Sequence, residues 1–278
     1  MNILFNRKFL NYNQSSNYEG AYRVRGFENQ YPDITVDFDP VSYIIETHSK
    51  RYFEKIKKSC EKEIELVGLH LTKECFEAAI LAVGLTIKAS EKGDFAVVRP
   101  PGHHAGREKA SGFCLFNNIA ISANKLLGEG KRIGLLDIDG HHGDGTQALL
   151  ENQENVFFYS IHESGVFPGT GIDSKNNYYN IPLQPPISEE VYLEALEDCI
   201  QKLTIFNPDI LGVSVGFDTF EKDKLLDFKL SCNTYRQIGY ELKLNFTNIY
   251  AVLEGGYHDK IKDCAESFVV GVNSAINQ

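Results

Sequence analysis

The sequence predicts an α/β fold in which helices cover both faces of a parallel β-sheet. From about residue 70, short apolar segments typical of buried strands alternate with segments of helical periodicity. Apolar strands separated by helices form parallel sheets, because each connecting helix packs back onto a face of the sheet. The 278 residues and the 42% hydrophobic content suit one large domain with a sizeable core. We therefore expect residues 1–278 to form a single domain.

Five segments are predicted helices. In Thr72–Ser90, apolar residues recur at the spacing of one helical face. Ser188 occupies an N-cap position, acidic residues follow it in the first turn, and Asn207–Pro208 ends this helix near Phe206. The other helical segments are Asn118–Leu127, Ser231–Phe246 and about 260–275. The first seventy residues are aromatic and polar with weak periodicity, so they predict no regular element.

Nearly every predicted strand runs directly into polar, glycine-rich residues. The strands lie at 95–98, 132–138, 155–161, 210–215 and 249–253, and the sequences that follow them are RPPGHHAG, DGHHGDG, HESG, GFDTF and EGGYH. In open parallel sheets, ligands bind beyond the carboxyl ends of the strands. The amino ends are plainer, so a general polarity of loops does not explain the pattern. The sequence therefore predicts one functional site at the carboxyl edge of the sheet.

Composition and patterning argue against several classes of function. The formal net charge is -10 and no Lys/Arg-rich block occurs, so binding to nucleic-acid phosphates is not favoured, although an acidic surface can attract cationic partners. No apolar run is long enough to span a bilayer, and the N-terminus lacks a secretory signal pattern. The six cysteines are scattered without a CxxC pair, which excludes a cysteine-based zinc ribbon and indicates reduced thiols. We expect a cytoplasmic protein without membrane association.

Asp139 and His141 are the leading candidates for metal ligands. They stand two apart behind a predicted strand, so on extended backbone their side chains point to the same side. Asp218, at the end of another strand, can complete a set of three. Three protein ligands with an open fourth position describe a catalytic zinc, although mixed oxygen and nitrogen donors also suit iron(II) or manganese. The alternative is that these side chains only hydrogen-bond loop amides.

Three further residues can carry acid–base and oxyanion chemistry. His103 and His104, on a Pro-Gly turn, can supply a general base and a general acid. Each needs a partner that fixes its tautomer, and the available carboxylates are Asp137 and Asp144. Tyr257 follows two glycines and can place a phenol opposite a metal, where it would stabilise an oxyanion. The alternatives are a surface histidine pair and a core tyrosine.

Two Gly/Phe loops at the same sheet edge can shape a substrate slot. Phe113, beside Gly112, and Phe167, in the loop Gly165–Gly171, can wall an apolar channel for an extended aliphatic chain. Ordinary core packing is the alternative. Ser160 can bind an ion or support the site from behind.

Several of these motifs occur together, and in order, in one family. RPPGHHAG, GFCLFNN, DIDGHHGDGTQ, FPGTG, GFDTFEKD and LEGGY resemble the zinc-dependent histone deacetylase superfamily, which includes acetylpolyamine amidohydrolases. The resemblance covers about residues 72–275. It implies an arginase/deacetylase-like fold, with three layers in a single domain around a central, mainly parallel eight-stranded sheet. It also implies a metal-dependent amidohydrolase.

The resemblance implies a role for each matching residue. The implied zinc ligands are Asp139, His141 and Asp218. The implied catalytic set is His103, His104, their partners Asp137 and Asp144, and the oxyanion donor Tyr257, while Phe113 and Phe167 become tunnel walls. A structural potassium ion is implied on the side chain and carbonyl of Asp137, the carbonyls of Asp139, His141 and Ile161, and Ser160 Oγ. His142 has no implied role, and we expect it to support the ligands rather than bind the metal.

The resemblance leaves the substrate class open. FPGTG resembles the branch that deacetylates proteins, whereas DTFEKD…FKL resembles the polyamine branch. Leu225 resembles an apolar gatekeeper, where an acidic residue would favour a polyamine cation. The long loop that builds a dimer in polyamine-type relatives is missing, which favours a monomer. We expect zinc-dependent hydrolysis of acetyl-lysine in proteins or peptides, with an acetylated polyamine or other small acetylated amine as the alternative. A manganese ureohydrolase and a catalytically inactive acyl-amide binder are more remote alternatives.

Overall fold

A computed structural model describes residues 1–13 and 18–275 of the chain. Its centre is a seven-stranded sheet in which every neighbouring pair of strands is parallel. The strands, in spatial order, are β1 (Ile3–Leu4), β4 (Phe95–Ala96), β9 (Ile249–Leu253), β8 (Ile210–Val215), β5 (Ile133–Asp137), β6 (Val156–Glu163) and β7 (Tyr178–Leu183). The predicted parallel α/β fold is therefore confirmed.

The number of strands differs from the expectation, because the described residues place seven rather than eight strands in this sheet. The remaining two strands, β2 (Glu65–Leu66) and β3 (Leu69–His70), pair with each other in an antiparallel hairpin. A two-residue turn joins antiparallel strands only, whereas a parallel partner needs a long crossover. These residues form a separate two-stranded sheet.

Helices flank the sheet, and the bounds of those predicted from sequence agree within a few residues. The helices are α1 (Tyr22–Arg25), α2 (Val41–Thr47), α3 (Lys50–Glu61), α4 (Lys73–Lys92), α5 (Asn118–Gly128), α6 (Asp144–Leu150), α7 (Glu189–Phe206), α8 (Cys232–Asn245) and α9 (Ile261–Ser274), with a 3-10 turn at Arg7–Leu10. The predicted N-cap is confirmed, because the Ser188 side chain accepts from the Val191 N–H. Asn207 ends the same helix in the left-handed conformation, with φ 53°. No helix of the described ranges is long and apolar enough to cross a membrane.

Strand β5 lies between β8 and β6 in the interior of the sheet and is buried along its whole length. Its last residue, Asp137, lies in register with Ser160 on β6 and Ser214 on β8. The carboxyl ends of β5 and β8 therefore lie at nearly the same level, and β6 continues three residues further. The polar sequences that follow them leave the sheet side by side, as the sequence pattern predicts.

The described part of the first seventy residues forms β1, a 3-10 turn, three helices and the β2–β3 hairpin, although the sequence predicted no regular element there. His48, between α2 and α3, is fully buried and bonds to two later parts of the chain. Its Nδ1 donates to the Gly106 carbonyl at 3.0 Å, and its Nε2 accepts from the Asn117 N–H at 3.0 Å. This bonding requires a neutral imidazole, and burial lowers the pKa of His48 from 6.5 to about 4.

The pH dependence of folding should report this histidine. The unfolded chain takes up a proton at His48 near its ordinary pKa, but the folded chain does so only near pH 4, so stability should fall as pH drops from 6.5 towards 4. The H48Q variant should lose up to about 3 kcal/mol of that pH dependence. Urea unfolding at pH 7 and pH 4.5 measures it. Between pH 7 and 8.5 the two proteins should differ by a constant amount. Parallel curves down to pH 4.5 would contradict the assignment.

Candidate functional site

Three side chains at the carboxyl edge of the sheet converge as one potential metal centre. One donor atom from each of Asp139, His141 and Asp218 lies within 4.8 Å of the others. His141 Nδ1 lies 2.8 Å from Asp218 Oδ2 and 3.2 Å from Asp139 Oδ1. The second oxygen of each carboxylate accepts a hydrogen bond from a backbone amide. The Gly255 N–H donates to Asp139 at 2.7 Å, and the Gly140 N–H donates to Asp218 at 2.9 Å. Each ligand is thus fixed in place with one donor atom left to face a cation.

The charges of this cluster fit a divalent ion. Both carboxylates are fully buried. Burial and the charge of Asp139 raise the pKa of Asp218 to about 7. Burial would lower the pKa of His141, but its hydrogen bonds to the two carboxylates raise it to about 10. Without metal, the cluster therefore retains at least one proton at neutral pH, and a cation of higher charge can replace it.

His103 and His104 form two histidine–aspartate pairs beside the cluster. Nδ1 of His103 lies 3.0 Å from Asp137 Oδ2, and Nδ1 of His104 lies 2.7 Å from Asp144 Oδ1. The ring centroids of the two histidines are 3.9 Å apart. With Nδ1 bonded to a carboxylate, the Nε2 atoms remain for chemistry, and that of His103 lies 3.8 Å from Asp139 Oδ1. Because a carboxylate oxygen accepts a hydrogen bond, the Nδ1 atom of each ring is assigned the proton.

The surroundings of the two histidines shift the pKa values of their imidazoles in opposite directions. Burial opposes protonation of His103, but the carboxylates of Asp139 and Asp137 raise its pKa well above the ordinary value. Burial and the adjacent charge of His103 lower the pKa of His104 to about 3. In the metal-free site, His103 therefore carries a proton at neutral pH, whereas His104 does not. Such a divergence is typical of an acid–base pair.

Glu254, to which no motif of the sequence assigned a role, bonds to the backbone of the turn that carries the histidine pair. It is fully buried, and burial raises its pKa to about 7. Its Oε2 accepts the Gly102 N–H at 2.7 Å and the His103 N–H at 3.1 Å, while Oε1 accepts Ser214 Oγ–H at 3.1 Å. Glu254 therefore fixes the turn that carries both histidines. The signal available in the sequence was a carboxylate at a strand end.

Glycine is required at each of the two positions before Tyr257, for a different structural reason at each. A Cβ on Gly255 would lie 2.5 Å from Asp139 Oδ2 and 2.6 Å from Asp218 Oδ2, so only glycine fits beside the two carboxylates. Gly256 has φ +113°, a conformation that other residues rarely adopt. Room next to the ligands and freedom of the backbone are both needed to bring Tyr257 to the site.

Tyr257 lines a cavity together with His104 and His141. Burial raises the pKa of its phenol well above the ordinary value, so the hydroxyl keeps its proton and can donate. Asp223, which no sequence motif indicated as a site residue, accepts the Tyr257 N–H at 2.7 Å and the Leu225 N–H at 2.9 Å. One carboxylate thereby joins the backbone of the phenol to the residue predicted as a gatekeeper.

The cavity above these groups is a mainly apolar tunnel of about 760 Å³. All four residues predicted to shape a substrate channel line it, namely Gly112, Phe113, Phe167 and Leu225. Tyr18, Val67 and Leu226 contribute further apolar surface, and Lys109 is also part of the lining. No carboxylate side chain occurs among the described lining residues. The slot therefore suits an uncharged, extended stem.

The remaining predicted residues lie behind the metal cluster or beside the tunnel. Ser160 is the register partner of Asp137, its Oγ lies 2.9 Å from His162 Nδ1, and Ile161 is buried next to it. His142 is bonded away from the cluster, with Nδ1 2.8 Å from Thr170 Oγ1 and Nε2 2.9 Å from Gln147 Oε1. It therefore holds the loop that carries Phe167 against α6.

Comparison with known proteins shows similarity to deacetylases and related amidohydrolases. Residues 28–272 match the family described as the histone deacetylase domain. A probable deacetylase of Archaeoglobus fulgidus is 34% identical over 77% of this chain and 66% of its own length. An acetylpolyamine amidohydrolase of Mycoplana ramosa is 37% identical over 62% of this chain, which spans 53% of that relative. The crystal structure of the HDA15 HD domain superposes on 100% of this chain and 91% of its own with a TM-score of 0.89 at 23% identity.

Metal binding should depend on the space at Gly255. In the G255A variant the added methyl group would displace the carboxylates of Asp139 and Asp218, so zinc affinity should fall roughly tenfold or more. Competition with a chromophoric chelator measures the affinity, and thermal melting verifies the fold. The matched control is G106A, because its nearest contact would be at 3.9 Å. A folded G255A protein with unchanged zinc affinity would refute the assigned geometry.

Proposed function

We propose that this chain, which belongs to the histone deacetylase family, is a zinc-dependent deacetylase that hydrolyses acetyl-lysine in proteins or peptides. One observation carries the proposal. Three potential ligands of a single divalent ion lie beside two histidine–aspartate pairs, and one of these ligands, His141, lines an apolar tunnel together with His104 and the protonated phenol of Tyr257. We propose further that residues 1–278 act as one catalytic domain. The N-terminal strand β1 supports this, because it joins the same sheet as the site.

The donor set of Asp139, His141 and Asp218 is the set that would hold zinc. When bound, the ion would polarise the acetyl carbonyl and acidify a water molecule. The same donors also suit iron(II), so zinc is proposed from its frequency in catalytic sites with three protein ligands. A structural potassium ion would lie on the oxygen-rich side of the cluster. Its proposed ligands are Asp137, Asp139, His141, Ser160 and Ile161, and the register of Asp137 with Ser160 supports it.

The protein residues divide the proton transfers between them. His104 is neutral at pH 7, so its Nε2 can accept a proton from the attacking water. The water oxygen forms a bond to the acetyl carbon, and the phenol of Tyr257 donates a hydrogen bond to the carbonyl oxygen as negative charge develops there. Protonated His103 then supplies a proton to the amine nitrogen as the carbon–nitrogen bond breaks. The products are acetate and the free amine.

The tunnel supports acetyl-lysine as the substrate. Its walls are apolar, Leu225 lies on the lining, and no carboxylate lines the described cavity. The four-carbon stem of lysine matches such a wall, whereas a polyamine would bring a second cation that a carboxylate should meet. Acetylpolyamine remains the alternative because the Mycoplana ramosa relative is named for that substrate.

Two other classes fit the site less well. A manganese ureohydrolase needs ligands for two ions, and within the described residues one group of three ligands meets the metal-site geometry. An inactive acyl-amide binder should have lost a catalytic group. Both histidine–aspartate pairs are instead intact, and Tyr257 reaches the cavity.

Removal of the phenol hydroxyl should separate catalysis from metal binding. The Y257F variant should lose about 10²–10³ in kcat because one oxyanion donor disappears. Its zinc content, measured by elemental analysis, should match that of the unmodified protein. The Y43F variant removes a hydroxyl from the half-buried tyrosine of α2 and should keep full activity. Unchanged turnover in Y257F would exclude its assigned role.

Substrate preference should separate the two candidate activities. The zinc-loaded protein should hydrolyse an acetyl-lysine peptide with a kcat/KM about tenfold or more above that for an N-acetylated polyamine. The reason is that the described tunnel lining contains no carboxylate that could bind the second cation of a polyamine. A chelator should abolish both rates, and added zinc should restore them. The reverse preference would assign the chain to the polyamine activity.

A further inference from the structure

The turn of the β2–β3 hairpin is an unusual part of the tunnel wall. Leu66 pairs with Leu69, which leaves Val67 and Gly68 as the two turn residues. Their φ angles are 49° and 82°. A two-residue hairpin turn with both φ angles positive follows the type I′ pattern, which favours asparagine, aspartate or glycine at its first position. Valine, with its branched Cβ, is strained in this left-handed conformation.

The same strain occurs at the residue to which this turn is bonded. Phe113 has φ 65°, and its N–H donates to the Val67 carbonyl at 3.1 Å. Most non-glycine residues with positive φ in the described chain are asparagines, and the exceptions are Glu63, Val67 and Phe113. Val67 and Phe113 both line the tunnel. Backbone strain that persists at a ligand-binding surface is typical of a functional constraint.

Gly68 keeps the turn in contact with the wall. A Cβ at this position would lie 2.5 Å from Cε1 of Phe113, so the backbone of the turn packs directly on the aromatic ring. The turn thus supports one wall from outside, and Val67 adds its own apolar surface to the lining. An asparagine at position 67 would suit the backbone better, but it would place a polar group at the tunnel wall.

We propose that the Val67–Gly68 turn is a specificity-determining element of this tunnel. It holds an uncharged, branched side chain against the alkyl stem of the amine, and it therefore favours acylated amines without a second cation near the reacting end. The inference rests on the proposed deacetylase function and narrows its substrate class. A lysine side chain in a peptide meets this requirement, whereas an acetylated polyamine does not.

Two variants at position 67 test the proposal. V67N should relieve the backbone strain and raise the melting temperature by roughly 2–4 °C. It should also raise KM for the acetyl-lysine peptide about fivefold with little change in kcat, because the apolar contact is lost. In V67D the aspartate side chain has nearly the same shape as the asparagine of V67N, but it carries a negative charge. Relative to V67N, it should shift the kcat/KM ratio about tenfold towards the acetylated polyamine.

A third variant provides the matched control. Glu63 has φ 51°, is exposed and lies outside the tunnel lining, so E63N relieves the same kind of strain away from substrate. It should raise the melting temperature without changing either substrate's kinetics.

The outcomes distinguish this inference from the function on which it rests. An active unmodified protein whose V67N variant keeps its KM would overturn the inference alone, as would equal preference in V67N and V67D. If the zinc-loaded unmodified protein hydrolysed neither substrate, the proposed function would fail and the inference with it.

Discussion

The structure depends on keeping three carboxylates buried and fully hydrogen-bonded at the ends of two strands. Asp137, Asp139 and Asp218 have no exposed surface. A buried carboxylate is costly unless donors satisfy its oxygens, and here backbone amides supply several of them. That requirement brings the loops after β5, β8 and β9 into contact. It also explains why glycine is needed where those backbones approach most closely.

Support for this arrangement comes from the part of the chain that showed no pattern. Arg23 and Arg99 both bond to Glu19, and all three side chains are fully buried. Arg23 also donates to the carbonyls of Glu254 and Gly256, and its guanidinium lies 5.0 Å from the centre of the Tyr257 ring. Two cations against one anion leave positive charge beneath a cluster that is rich in carboxylates. The N-terminal segment thus holds the phenol-bearing loop and balances its charge.

The site residues that could be predicted from the sequence are those that directly follow a predicted strand. Periodicity predicted the central strands and long helices, and the order of motifs predicted which side chains meet in the site. It could not predict β1 or α1, because two to four residues carry no periodicity. It also gave no role to Glu254 and Asp223. The contacts that tie them to the site are with backbone amides far along the chain, Gly102 for Glu254 and Tyr257 for Asp223, and no local spacing reports such contacts. The expectation of eight strands came from the family resemblance and not from any segment of this chain, and the described residues place seven strands in the sheet.

Catalysis and substrate selection lie on different kinds of structure in this protein. The prospective metal ligands follow buried strands, where the register of the sheet and buried hydrogen bonds hold them. Much of the tunnel wall lies on turns, and two of its residues keep a strained backbone. A change in a turn alters the wall without moving a strand end, because turns tolerate substitution better than the sheet does. Relatives with different named activities can therefore share one catalytic arrangement, and selectivity in this chain is best sought in the walls rather than in the acid–base groups.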